Sequence, residues 1–146
     1  MVSQFENVQL ICSVNRLVIE TVRAWHQQPD HVHFFSRVPQ LQVLQQANVF
    51  ITHGGLGSVK ESIYYEVPML VYPLDPHYDQ PGNALKVEHH GLGLRGVFHN
   101  ERVTDLRTKL KRLLDDKSFK SRLRQFKAKT GATHLPQPID QILFTC

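Results

Sequence analysis

The chemistry-bearing stretch is Val49 to Gln80, VFITHGGLGSVKESIYYEVPMLVYPLDPHYDQ. Within it His53-Gly54-Gly55-Leu56-Gly57-Ser58 places an imidazole, three glycines and a hydroxyl side by side. The apolar run Val49-Phe50-Ile51 before it reads as a buried strand. Val59 and Ile63, four apart with Lys60 and Glu61 between them, read as the start of a helix. A strand, a glycine turn and a helix together bring backbone N–H groups to a helix N-terminus. Unpaired N–H groups and the helix dipole attract anions there, phosphate above all. Glycines let the backbone approach the ligand closely, and Ser58 adds a hydroxyl donor in the first turn. No Gly-Lys-Ser/Thr follows, so this is not a P-loop, and the glycine spacing is not the dinucleotide fingerprint. ATP hydrolysis and hydride transfer lose ground accordingly.

The elements that must position this loop alternate strand and helix. Val8 to Val14 is an apolar strand, and Asn15 can cap a helix whose stripe is Leu17, Val18, Thr21, Val22 and Trp25, ending near Gln28-Pro29. His31 to Phe35 is a second strand, and Pro39 forces Val38 to be extended. Leu41 to Ala47 is a short helix. After the helix that follows the glycine loop, ending near Tyr65, Met69 to Tyr72 is a continuous apolar strand suited to a parallel sheet covered on both faces. Asn83 to His90 is a helix stopped by Gly91, and Leu92 to Val97 is a last strand. Thr104 begins a capped amphipathic helix with Leu106, Leu110, Leu113 and Leu114 facing inward, and a further helix follows around Phe119 to Lys129. The tail from Gly131 is expected to wrap the surface. This alternation implies an α/β fold, a Rossmann-like doubly wound parallel sheet with helices on both faces. Ligands of such sheets sit beyond the carboxyl ends of the strands. Val38–Gln40, His53–Ser58 and Asp79–Gln80 all follow strands and are expected on one edge.

Composition narrows the class. At 146 residues with 41% hydrophobic content and a mean hydropathy of −0.30, the chain suits one globular domain. No apolar run reaches the roughly 18 residues of a membrane span, and no secretory signal is visible at MVSQFEN. Cys12 and Cys146 form no metal or disulfide pattern, so a cytoplasmic location and a buried, inert Cys12 thiol are expected. The net charge of +4 is uneven. Residues 101–129 hold eleven Lys/Arg against four Asp/Glu, a balance of +7, and the remainder holds six against nine, −3. Aromatic residues for base stacking are sparse there, so a solvated helix face is favoured over a nucleic-acid surface. Asp75, His77 and Asp79 alternate, with His31, His33, His89 and His90 elsewhere, but no spacing matches a metal motif and no metal is expected.

Arg37-Val38-Pro39-Gln40 and Leu44 upstream, the glycine loop, and Glu61, Val67-Pro68-Met69, Pro73, Asp79-Gln80 and Asn83-Ala84 downstream form an ordered set. It closely resembles the donor-binding signature of family 1 glycosyltransferases, which use UDP- or TDP-sugars. The resemblance runs from Val8 to Asp116. It implies the C-terminal, donor-binding half of the two-Rossmann-domain GT-B fold. It also implies that His53, Gly55, Leu56, Gly57 and Ser58 hold the donor diphosphate, His53 and Ser58 by their side chains. Arg37, Val38, Gln40 and Glu61 would meet base and ribose, and Asp79 and Gln80 the sugar hydroxyls, with the Asn83 region supporting their loop. Read without the resemblance, Val38–Gln40 is an ordinary strand exit. No metal or cofactor is required by the family, and its general base lies in an N-terminal domain, so no catalytic residue is expected in this chain.

Three departures follow. Arg37 stands where the family commonly has Trp under the base, although a guanidinium plane can also stack. The segment from Pro73 to Asp79 is two residues longer, which can displace Asp79 and Gln80. The acceptor domain and the donor domain's own first, central strand have no counterpart. Residues 1–146 are therefore expected to be one donor-binding domain truncated at its N-terminus, a fragment or a subunit completed by another chain. The sheet is then left with an unfilled central position or a substitute partner. The expected function is the nucleotide-sugar-binding part of an inverting glycosyltransferase that transfers a sugar to an acceptor hydroxyl. The alternative is a non-catalytic nucleotide-sugar-binding module. The partners are the nucleotide-sugar donor and an acceptor bound by the missing domain, with no nucleic acid and no membrane span.

Overall fold

A computed structural model describes residues 8–24 and 29–131. The chain divides into two compact units, residues 1–43 and 44–146. The expected end of the first helix near Gln28 and the tail after Gly131 lie outside the described residues.

In the first unit, β1 (Leu10–Ser13) pairs in parallel with β2 (Val32–Phe35), with Cys12 opposite Phe34. The crossover carries α1 (Ile19–Arg23). Asn15 caps the turn before this helix rather than the helix itself, its Oδ1 accepting the Leu17 N–H at 2.8 Å. Both strands alternate half-buried and exposed side chains, and among the described residues of this unit Ile19 is the buried aliphatic one. Cys12 is half-buried rather than buried, on the more covered face of β1 with Leu10. Burial raises its thiol pKa above the usual value. A short helix, α2 (Gln40–Leu44), follows Pro39 and leads into the second unit.

The second unit is built on a three-stranded parallel sheet in the order β3 (Phe50–Thr52), β4 (Met69–Val71), β5 (Gly93–Arg95). Met69, Leu70 and Val71 are fully buried, as a central parallel strand covered on both faces must be. On one face Met69 and Val71 pack with Val59 and Ile63 of α3 (Leu56–Tyr64), Ala84 and Val87 of α4 (Gln80–His89), and Leu123 of α6 (Ser118–Thr130). On the other, Leu70 and Leu94 pack with Leu113 of α5 (Val103–Asp115) and Phe119 of α6. Each such side chain contributes about 1.5–3 kcal/mol on burial. Gly91, at φ 65°, ends α4 as its sequence predicts.

The α/β architecture of parallel strands and covering helices is as expected, and among the described residues no ladder joins the β1–β2 pair to the β3–β4–β5 run. Three expectations change. Helix α4 begins at Gln80, not Asn83, because Pro81 in its first turn needs no N–H partner. Helix α5 begins at Val103 after an extended Arg102, so Thr104 lies inside it and does not cap it. Leu114 is exposed, one position past the inward stripe that Leu106, Leu110 and Leu113 define.

Candidate functional site

The chain leaves β3 at Thr52 and turns at once. Gly54 has φ +87°, and a Cβ there would stand 2.7 Å from Val71 Cγ1 of the neighbouring strand. Both facts demand glycine. Thr52 Oγ1 accepts the Gly54 N–H at 3.2 Å and fixes the turn. Gly55 is the N-cap of α3 and offers no side-chain cap. A Cβ on Gly55 would lie 2.7 Å from His53 Nε2, so the imidazole rests against the bare glycine backbone. His53, Leu56 and Gly57 are exposed, while Gly55 and Ser58 are half-buried. The first intrahelical bond is Val59 N–H to Gly55 C=O, 3.0 Å, so the N–H groups of Leu56 and Gly57 precede the ladder. The result is an open turn with an imidazole at one side and the positive end of a nine-residue helix beneath it. Glu61 lies one turn further along α3, half-buried.

A second helix N-terminus belongs to the same site. Asp79 is the N-cap of α4, and α4 follows β4 as α3 follows β3. Asn83 joins the two. Its buried amide Nδ2 donates to Gly54 C=O and to Asp79 Oδ2, each at 2.9 Å. The glycine turn and the Asp79–Gln80 corner are therefore held by one side chain. Gln80 faces inward to its own loop, where its Oε1 accepts the N–H groups of Leu74 at 2.9 Å and Asp75 at 3.3 Å. Asp75 Oδ1 accepts the His77 N–H at 2.8 Å. These bonds organise the long segment from Pro73 to Asp79 and leave the Gln80 Nε2 amine as that side chain's donor end. Asp79 is exposed.

Behind the loop, Tyr72 N–H donates to Thr52 C=O at 2.8 Å, tying the ends of β3 and β4. The Tyr72 hydroxyl donates to Glu101, and Lys109 donates to the same carboxylate and, at 2.8 Å, to Arg95 C=O. Burial first, then the hydrogen bond and charge of Glu101, push the Tyr72 pKa well above the usual phenol range. A Cβ on Gly96 would run into the Tyr72 ring, so this glycine lets the aromatic ring pass.

The second unit thus gathers His53, Gly55, Leu56, Gly57, Ser58, Glu61, Asp79 and Gln80 on the loops and helix starts that follow β3 and β4. Arg37, Val38 and Gln40 belong to the first unit and follow β2, with Arg37 exposed and Gln40 opening α2. Sequence reasoning named the Asn83 region only as loop support. Its bridging role was legible in the spacing of Asp79 and Asn83, which become i,i+4 neighbours once the helix starts at Gln80. The Tyr72–Glu101–Lys109 cluster had no local signal, since its members are far apart in sequence. Among the described residues no three His, Cys, Asp or Glu side chains gather as a metal site needs, and no helix is long and apolar enough to cross a membrane.

Comparison with known proteins supplies independent findings. The family described as UDP-glucoronosyl and UDP-glucosyl transferase matches residues 28–144. Oleandomycin glycosyltransferase of Streptomyces antibioticus is 37% identical over 102 residues, covering 68% of this chain and 23% of that protein. Human UDP-glucuronosyltransferase 2B28 is 36% identical over 92 residues, covering 62% of this chain and 17% of that protein. Among solved structures, the glycotransferase of kitacinnamycin superposes with a TM-score of 0.78 at 31% identity, covering 92% of this chain and 34% of its own. The glycosyltransferase VinC, solved in complex with DTDP, gives 0.78 at 25%, covering 92% and 32%. The chain spans about a fifth of the length of these curated relatives and a third of these solved ones.

Proposed function

The chain belongs to the UDP-glucuronosyl and UDP-glucosyl transferase family, and from that we propose that it binds the nucleotide-sugar donor of an inverting glycosyltransferase. The single observation that carries the reading is the open His53–Ser58 turn at the uncapped start of α3, braced by Asn83. Leu56 and Gly57 N–H groups, the Ser58 hydroxyl and the His53 imidazole are the donors offered to a diphosphate. Glu61 accepts from ribose hydroxyls, and Arg37, Val38 and Gln40 serve base and ribose. Asp79 and the Gln80 amine take sugar hydroxyls at the α4 start.

In the proposed reaction a deprotonated acceptor oxygen forms a bond to the anomeric carbon with inversion. The bond from that carbon to the β-phosphate oxygen breaks, and its electron pair leaves with the nucleoside diphosphate. The acceptor's proton goes to a general base that is none of the residues assigned above. Charge grows on the diphosphate as the bond breaks, so donors aimed at it stabilise the transition state more than the ground state. The helix start and imidazole supply that stabilisation without a metal ion.

Calorimetric titration with UDP, TDP and ADP tests the donor site. Ser58→Ala removes one hydrogen bond to a charged oxygen, so affinity for the preferred diphosphate should fall by ~10- to 100-fold. Unchanged affinity in both Ser58→Ala and His53→Ala would remove the site from this loop.

A further inference from the structure

Residues 101–129 hold eleven Lys/Arg against four Asp/Glu, and several of these cations are matched where they stand. Arg102 pairs with Asp105, Lys109 with Glu101 and Lys111 with Asp115, while Arg124 and Lys127 share Glu66. Arg112 lies over the Phe119 ring, 5.7 Å from its centre. Lys117 and Lys120 have no acidic partner among the described residues.

Those two lysines line one hollow. It measures about 440 Å³, opens to solvent and lies where α5 ends and α6 begins, with Asn48 also lining it. Leu113 and Leu114 give it an apolar surface, and Lys117, Lys120 and Arg124 give it three cations. The cations stand at i, i+3 and i+7 at the start of α6, so they share one helix face and rise in steps of about 4.5 and 6 Å. Ser121 on the same face adds a hydroxyl. The one carboxylate of the lining, Asp116, is engaged. Its Oδ1 accepts the Ser118 N–H at 2.9 Å, and that bond holds its carboxyl below the usual range. Arg124 is steadied by its Nε bond to Glu66 at 2.8 Å. Leu114 keeps 39% exposure, an aliphatic surface beside unmatched positive charge. The hollow is separate from the donor turn: Asn48 stands before β3 begins, whereas His53 to Ser58 follow its end.

We propose that this hollow is a docking site for a short acidic segment of a partner polypeptide, with carboxylates against Lys117, Lys120 and Arg124 and an aliphatic side chain on Leu114. Three cations against one engaged carboxylate call for an anion. Alternate residues of an extended chain lie roughly 6.5 Å apart, close to the spacing of the cations, and the flexible lysine stems take up the difference. The exposed leucine favours an acidic segment that also carries an aliphatic residue over a bare polyanion. A nucleic acid fits less well. Among the described residues no aromatic side chain lines the hollow for a base to stack on, and a cation row about 10 Å long spans about three phosphates of one strand. The proposal does not depend on the donor reading.

The test uses the full chain and a fluorescein-labelled Asp-Glu-Leu-Glu-Asp peptide at low salt. Anisotropy should show saturable binding, at least ~10-fold tighter than that of the Asn-Gln-Leu-Gln-Asn peptide. In the 15N-labelled chain the acidic peptide should shift amides of residues 113–124 and leave those of Leu56, Gly57 and Ser58 in place. The double variant Lys117→Glu/Lys120→Glu should keep its thermal midpoint and its response to UDP, yet bind the acidic peptide at least ~10-fold more weakly. Should that variant not fold, Lys117→Gln/Lys120→Gln serves, since it removes the charges without reversing them. Serine in place of the peptide's leucine should weaken binding about 3- to 10-fold. Four results would overturn the proposal. One is equal binding of the acidic peptide by wild type and variants. Another is equal binding of the acidic and amide peptides. The third is equal binding of the leucine and serine peptides. The last is a single-stranded RNA of the same charge that binds more tightly than the peptide, which would make the surface one for nucleic acid.

Discussion

Ile11 and Leu70 are both aliphatic residues inside parallel strands, and their surroundings could hardly differ more. Leu70 sits in β4 between two layers of helix with no exposure, while Ile11 in β1 is 45% exposed. The second unit closes its sheet with α3, α4, α5 and α6 and builds a core on each face. Among its described residues the first unit has α1 and most of the short α2 beside two strands, and one buried aliphatic residue, Ile19. The His53–Ser58 turn and the Asp79–Gln80 corner stand on the well-packed unit, whereas Arg37, Val38 and Gln40 stand on the sparsely packed one. Under the proposed assignment the diphosphate donors stand where packing fixes them, as recognition of a fixed group demands, and the residues proposed for base and ribose stand on the unit with less to hold it.

The largest expected effect breaks that contrast directly. Leu70→Ala should cost about 2–5 kcal/mol through the cavity it leaves, against about 1 kcal/mol or less for Ile11→Ala. Chemical denaturation of the two variants measures the difference, and equal losses would mean the first unit is as tightly packed as the second.

Gly54→Ala comes next. Its positive φ and the approach of Val71 Cγ1 should cost about 1–3 kcal/mol, and displacement of the turn should weaken diphosphate binding in the same variant. Calorimetry and thermal melting together check it. Retained affinity would show that the turn tolerates a side chain and that its shape does not matter to the ligand.

The smallest effect concerns pH. Tyr72 has a folded pKa raised by burial and by Glu101, so its contribution to stability is complete below the unfolded phenol pKa of about 10 and is lost as pH rises beyond it. Melting temperatures followed from about pH 9 to 11 should fall more steeply for wild type than for Tyr72→Phe. At neutral pH the variant should lose only about 1 kcal/mol.

Much of the second unit was legible because its signals are local. The run Met69 to Val71 could only be a buried strand, and Gly91 could only stop a helix. The strand–turn–helix layout around the glycines was legible for the same reason, since His53 to Ser58 carries its strand exit, its glycines and its helix start within one stretch. What escaped depended on partners that no local pattern announces. Helix α4 was read as starting late because Asp79-Gln80-Pro81 resembles a loop until Pro81 is recognised as a first-turn residue. Gln80 folds back on Leu74 and Asp75, a bond that no pattern of residue types announces.

The central claim is that the turn from His53 to Ser58 is a diphosphate cradle, and backbone amide shifts read it most directly. On titration of the 15N-labelled chain with UDP, the amides of Leu56, Gly57 and Ser58 should move first and furthest, with Gly54 and Asn83 following through their shared hydrogen bond. Saturation with UDP, TDP or ADP that leaves those three amides in place would contradict the account.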